Sequence, residues 1–310
     1  MKHCLLRRLL GLVPLLLGIS FLSFVLIQLS PGDPAEVVIR VNDMTPTPEL
    51  LAEVRTQLGL DRPFPERYLR WLADVLRGDL GMSYVNGRPV AGELARALPP
   101  TLMLAGTAAV IMLACSLAVA LVCVRHEGRG VDRLLRALLF LGTSVPAFWA
   151  GLLLIWLFSV HLDWLPTGGL EGPSSLVLPA VTLALPYLAA YARLLRNSMV
   201  QTAQEDFVLY ARACGRSRGA ILHMVLRNSL QASLTALGMS LPKLVAGSFV
   251  ECIFAWPGLG RLCVTAIFNR DLPVIQAYVL LMAVLFVAGN LCMDICAGLL
   301  DPRLRERGLR

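Results

Sequence analysis

Three arrangements of side chains in this sequence have the types and spacing for chemistry. Gly215 to Gly219 reads G-R-S-R-G, the G-x-S-x-G pattern in which a strand-to-helix corner exposes a nucleophilic serine to a base and an oxyanion hole. Nothing upstream alternates as a strand would. The histidine that follows Ser217 is His223, six residues on, without the order or spacing of a triad. Cys292 and Cys296 lie one helical turn apart and could share a soft metal, yet no histidine or carboxylate set completes a tetrahedral site. His3, His126, His161 and His223 are scattered over different loops. The third arrangement is Lys243 with Asp294, ionisable groups inside apolar runs, as ion-coupled carriers use; the two fall at different depths.

A negative observation bears on energy supply. The chain has two lysines, Lys2 and Lys243, and neither follows a glycine, so no Walker A loop can hold a nucleotide here. Cargo moved against a gradient must draw on another subunit or on ions. The residues point to no covalent catalysis, no cofactor and no resident metal.

A fourth stretch fits docking rather than catalysis. From Gln204 to Leu230 the chain carries Arg212, Arg216, Arg218 and Arg227. Glu205 and Asp206 suit a helix N-terminus, Ala211 and Ala213 are small, and Gly215 permits a tight stop. A second helix then leads back into apolar sequence. Small residues at the turn would let another protein approach the backbone, and the arginines could meet its acidic groups. The plainer reading is an ordinary basic inner loop.

The elements that position these groups are membrane spans. Of the 310 residues, 56% are hydrophobic and 16% charged; the mean hydropathy is +0.68. Six windows approach the ~20 apolar residues a span needs: Leu9–Leu29, Thr101–Val124, Ala137–Val160, Leu176–Leu195, Ser229–Val250 and Ile275–Leu299. Pro179, Pro186 and Pro242 interrupt the fourth and fifth, which is tolerated where neighbouring helices satisfy the freed carbonyls. The expected fold is all-α and polytopic, with six transmembrane helices.

Basic residues orient the chain. Lys2, Arg7 and Arg8, the Arg125–Arg136 loop, the Arg193–Arg227 segment and the tail D-P-R-L-R-E-R-G-L-R would all lie inside, whereas the long first loop offsets its arginines with carboxylates. Both termini are then cytoplasmic. The first apolar run exceeds a secretory h-region and no A-x-A-like site follows it, so it reads as an uncleaved span. The net charge of +7 is spread over inner loops as topology demands, which argues against nucleic acid as a partner. The eight cysteines fit small apolar packing better than a disulfide framework.

On these residues the sequence resembles a known family. "DFVLYARACG" followed by "LRNSL" is similar to the cytoplasmic EAA-type loop of ABC importer permeases, in the A-R-A-x-G form of the dipeptide, oligopeptide and nickel branch. "LLRRLLGLVPLLLGISFLSFVLIQLSPGDPA" resembles that branch's first span, "LGLDRPFPERYLRWLADVLRGDLGMSY" its outer segment, "FVECIFAWPGLGRLCVTAIFNRDLPVIQ" its E-x-x-F-x-W-P-G-x-G-R and R-D-x-P-V motifs, and "DPRLR" its tail. Leu209 and Tyr210 depart from the older E-A-A spelling. "TPTPELL", "VNGRPV" and "AIFNRDLPVIQ" look most like the nickel importers of the branch.

The resemblance implies a type I importer fold in the bacterial cytoplasmic membrane. Its domains would be an N-terminal span over 1–30, an extracytoplasmic segment over 31–100, a transmembrane domain over 101–300 with its coupling loop at 196–228, and a tail over 301–310. The implied partners are a second permease, two ATP-binding subunits and an extracytoplasmic binding protein; ATP hydrolysis would reside in those partners. Asp206, Tyr210, Ala211, Arg212, Ala213 and Gly215 would form the coupling helix, and Trp256, Pro257, Gly258 and Gly260 an outer gate. The implied cargo is nickel, carried in a chelate, with dipeptides or oligopeptides as the alternative and an ion-coupled carrier as the reading from a different class.

Overall fold

A computed structural model describes residues 2–29, 33–41 and 44–300; the D-P-R-L-R tail lies outside them, as do the side chains of Asp294 and Cys296. The described residues are mostly helical. Its helices are α1 (Lys2–Gln28), α2 (Pro34–Val41), α3 (Pro48–Gln57), α4 (Phe64–Leu76), α5 (Val90–Arg125), α6 (Gly130–Ser144) and α7 (Ala147–Leu154), which runs on as a π-turn over Ile155–His161. A short 3₁₀ turn, Pro173–Leu176, then leads into α8 (Val177–Ala203), α9 (Asp206–Ala213), α10 (Arg218–Val245), α11 (Ser248–Ile253), α12 (Leu259–Phe268) and α13 (Leu272–Leu300).

Among the described residues, three helical stretches are long and apolar enough to cross a membrane: Val90–Arg125, Pro173–Ala203 and Leu272–Cys292. They fall on the second, fourth and sixth windows. The third window, expected as one span over Ala137–Val160, is broken: α6 and α7 meet at 104°. The cause is local. Pro146 disfavours the helical region for the residue before it, and Val145 is accordingly extended at φ −83°, ψ 125°. The first window lies on α1, of which Val13–Leu26 forms a shorter apolar stretch. The fifth lies on α10, whose side chains over 230–239 are outside the described set.

The chain divides into two compact units, the boundaries falling within α5, between Trp256 and Pro257, and within α13. The first comprises residues 1–101 and 257–287, so α12 and most of α13 belong with the N-terminal segments. Its core is built by Val90, Leu94, Leu259, Ala266 and Val274, with a satellite of Ala35, Ile39 and Val54 between α2 and α3.

The second unit comprises residues 102–256 and 288–310. Its core joins Leu104, Ala108 and Met112 of α5, Leu183 and Ala184 of α8, Leu244, Phe254 and Trp256. Pro242 inside α10 sits against Gly289, where an added Cβ would meet its Cγ at 3.3 Å. Proline is accommodated here by a neighbouring helix that offers no side chain.

Candidate coupling segment and outer turn

The segment of the second unit that carries the arginines folds as a short helix held on one side. Glu205 is extended, at φ −69° and ψ 148°, and α9 starts at Asp206, whose carboxylate suits the positive end of the helix. Val208 and Ala211, three residues apart, are buried; Val208 joins Leu195 and Met199 of α8, Ala120 of α5 and Val225 of α10 in a small apolar cluster. The opposite face is open. Phe207 and Leu209 are exposed, and Tyr210 is 73% exposed, beside exposed Asp206, Arg212 and Ala213.

Gly215 ends this helix in the way its position suggests. Its φ is +73°, its N–H donates to Arg212 O at 3.0 Å, and the N–H of Arg216 reaches back to Ala211 O at 3.1 Å. That pair of bonds is a Schellman stop, which places its C′ residue in the left-handed region. Next, Ser217 accepts a hydrogen bond from Ala220 N at 3.3 Å and caps α10. The serine of the G-x-S-x-G match is thus a helix cap, with helices rather than a strand on either side.

The arrangement corrects one detail. Ala211 is turned into its own unit, so it is not a small residue open to a partner. The exposed surface is instead Phe207, Leu209 and Tyr210 with Arg212, Arg216 and Arg218 around them.

Between α6 and α8 lies an ion pair that the sequence reading missed. Asp132, on the first turn of α6 and completely buried, receives Arg196 of α8 in a two-pronged contact, Nε to Oδ1 at 3.1 Å and Nη2 to Oδ2 at 2.9 Å. Gly128 N adds a bond at 3.3 Å, and Arg136 lies 3.5 Å away. The signal in the sequence was an acidic residue, one of two with Glu127, set among Arg125, Arg129, Arg133 and Arg136.

The proposed gate residues separate. Trp256, in the second unit, is fully buried beside Phe254. The turn before it is strained: Ala255 has φ +48°, and Trp256 N donates to Glu251 O at 2.8 Å. Gly168 comes so close to this turn that a Cβ there would stand 2.2 Å from Phe254 O, while Gly169 N donates to that oxygen at 2.8 Å.

In the first unit, Gly258 precedes α12 and has no side chain to cap it; Leu259 N instead donates to Thr101 Oγ1 at 2.7 Å. Gly260 is buried. Pro257 is exposed. At the other end of α12, Arg270 holds φ +55° and Asp271 is bound by Ser83 Oγ and by Tyr84 N at 3.0 Å. Burial pushes the Tyr84 phenol above its ordinary range; Arg67 opposes the rise and Asp271 adds to it.

Lys243 stands exposed in the last turn of α10, where a helix favours a cation. Among the described residues no group of three or more His, Cys, Asp or Glu side chains is placed to hold a metal ion.

Comparison with known proteins bears on the whole chain. The family model "Binding-protein-dependent transport system inner membrane component" matches residues 110–306, and a companion model for the N-terminal part of such components matches residues 1–105. The chain is 40% identical over 304 residues, 97% of either protein, to the "Metal-staphylopine import system permease protein CntB" of Staphylococcus aureus (strain NCTC 8325 / PS 47). It is 39% identical over 309 residues, covering 99% of this chain and 100% of the relative, to the "Glutathione transport system permease protein GsiC" of Salmonella paratyphi A (strain ATCC 9150 / SARB42). Among solved structures, one titled "Inward facing conformations of the MetNI methionine ABC transporter: CY5 native crystal form" superposes with TM-score 0.58 at 18% identity, over 67% of this chain and 96% of that one.

Proposed function

The chain belongs to the family of binding-protein-dependent transport system inner membrane components, as a multi-pass ABC importer permease of type I fold, and from that premise we propose that its cargo is a metal, nickel first among candidates, carried within an organic chelator. The observation that carries this reading is the 40% identity, over nearly the full length, to a metal-staphylopine import permease. A second reading has its own support: the glutathione permease is almost as similar, and dipeptide or oligopeptide import follows from it.

In either case the chain supplies half of a path, a second permease the other half, two ATP-binding subunits the energy and an extracytoplasmic binding protein the cargo. The exposed face of α9, with Phe207, Leu209, Tyr210 and Arg212, is where the ATP-binding subunit docks. The Schellman stop at Gly215 fixes its angle. ATP binding draws the two subunits together, and α9 passes the movement to α8 and α10 through the Val208 cluster. Alternating access is then a population shift biased by nucleotide and by the loaded binding protein. The turn around Trp256, Pro257, Gly258 and Gly260 closes the outer mouth.

The test is uptake into proteoliposomes holding the complete transporter, with radioactive nickel offered free, offered with excess histidine as chelator, or replaced by a labelled dipeptide. ATP-dependent accumulation of the chelated metal alone is the expected result. Accumulation of the dipeptide without the metal would move the assignment to peptide import.

A further inference from the structure

Helix α4 presents three different surfaces. Phe64, Tyr68 and Trp71 face α1, where Phe21 meets Tyr68 edge-on at 5.3 Å and Phe24 lies 5.4 Å from Phe64 and 5.7 Å from Trp71. The Tyr68 hydroxyl stands 2.9 Å from Ser20 Oγ and donates to Leu17 O at 3.4 Å. A second surface is charged, with Glu66 between Arg62 and Arg70 at 3.6 and 2.9 Å. On the third flank Leu69, Leu72 and Leu76 form a row at i, i+3 and i+7; Leu69 is 62% and Leu76 80% exposed.

What covers that row follows from its height along α1. Ser20 lies eight residues before Gln28, where α1 ends, which at the usual rise is about 12 Å below the helix end. Around that height α1 itself exposes Leu17, Phe21, Leu22 and Leu26, as a span facing hydrocarbon does. A helix pinned there by Tyr68 does not stand free in water. Arg70 and Arg77 follow Leu69 and Leu76 directly and are both well exposed. Their long stems allow the cations to reach phosphate level while the leucines sit lower.

We propose that α4 is an interfacial helix whose Leu69, Leu72 and Leu76 row rests in the outer leaflet, with Arg70 and Arg77 at the lipid headgroups. This rests on reading α1 as a membrane span with its N-terminus inside. It gives the extracytoplasmic segment a second attachment to the bilayer beside α1. The approach of a binding protein is then fixed in height and tilt by lipid as well as by protein.

The experiment uses the complete transporter, its permease freed of native cysteines, in phosphatidylcholine and phosphatidylglycerol vesicles. A bimane probe is attached in turn to Leu69→Cys, Leu76→Cys, Leu22→Cys and Glu66→Cys. Emission at positions 69, 76 and 22 should be roughly halved by nitroxide-labelled lipid and scarcely changed by iodide, with the opposite pattern at position 66. Lipid quenching at 22 together with iodide quenching at 69 and 76 would leave α1 as a span and overturn the interfacial assignment of α4. Escape of position 22 from the lipid quencher would remove the span reading, and the inference with it. A probe at 69 and 76 reached by neither quencher would mean that another subunit covers the row, which also overturns the proposal.

Discussion

Glycine positions are where single residues decide the most in this chain. At Gly215 a Cβ would meet nothing within 4 Å, so the cost of replacing it comes from φ +73° alone. For a β-branched residue that cost is about 1–2 kcal/mol, roughly a tenfold shift between docked and misplaced forms of α9. Gly215→Val should therefore leave membrane insertion normal while lowering both ATPase co-purification and transport; Gly215→Asn, which tolerates the left-handed region, should retain most of both. Equal behaviour of Val and wild type would mean that α9 is not the docking element. Gly168 is the contrasting case. Its φ is not at issue; a Cβ would instead collide with Phe254 O. Gly168→Ala should cost about 1–3 kcal/mol in overpacking, seen as a lowered apparent Tm, with ATPase binding unaffected because α9 is untouched. Of the two, Gly215 was legible from sequence, because a glycine after a short helical run is a stop signal in itself. Gly168 was not, since its constraint is an oxygen 86 residues further along.

Helices show the same division between local and distant causes. The apolar windows over α5, α8 and α13 were readable because hydropathy is summed over neighbours in the chain. The break between α6 and α7 comes from Pro146 acting on Val145, a local effect that hydropathy summed over the window does not register. The orientation of α9 was less accessible: F-V-L-Y-A is apolar on every side, and only packing against α8 and α10 selects Val208 and Ala211 as the inner face. Asp132 and Arg196 belong to two separate basic inner stretches of the sequence, and nothing in 64 residues of separation shows that they meet. Their pairing joins α6 to α8 at the base of the coupling segment. Breaking it by Asp132→Ala leaves Arg196, largely buried, without its carboxylate, at a cost of about 3–5 kcal/mol. The apparent Tm of the detergent-solubilised transporter should fall clearly for Asp132→Ala and for Arg196→Ala. Because both act on one interaction, the double variant should fall by less than the sum; strict additivity would show that the contact contributes nothing as a pair.

For the whole molecule, the topology ties the mechanism together. If α9 meets a cytoplasmic ATPase, then Arg216 beside it and Arg129 in the loop before α6 must both be inside, while Glu66 on α4 and Glu171 ahead of α8 must be outside. The basic loops argue for this arrangement because lysine and arginine are retained on the cytoplasmic side during insertion. The described helices allow it: α5 runs from Val90 to Arg125, and α8 from Val177 to Ala203, each beginning near a predicted outer segment and ending near a predicted inner one. The break in the third window does not alter the count of crossings so long as α6 and α7 together traverse the bilayer. If instead they form a re-entrant pair, Glu171 would return to the same side as Arg129. A cysteine scan separates the two outcomes. With native cysteines replaced, a membrane-impermeant maleimide added to intact cells should label Glu66→Cys and Glu171→Cys, and should reach Arg129→Cys and Arg216→Cys only after the membrane is opened. Protection of Glu171→Cys together with labelling of Glu66→Cys would establish the re-entrant form of α6 and α7. Labelling of Arg216→Cys in intact cells would place α9 on the wrong face for an ATPase, and the docking role proposed for it would fall.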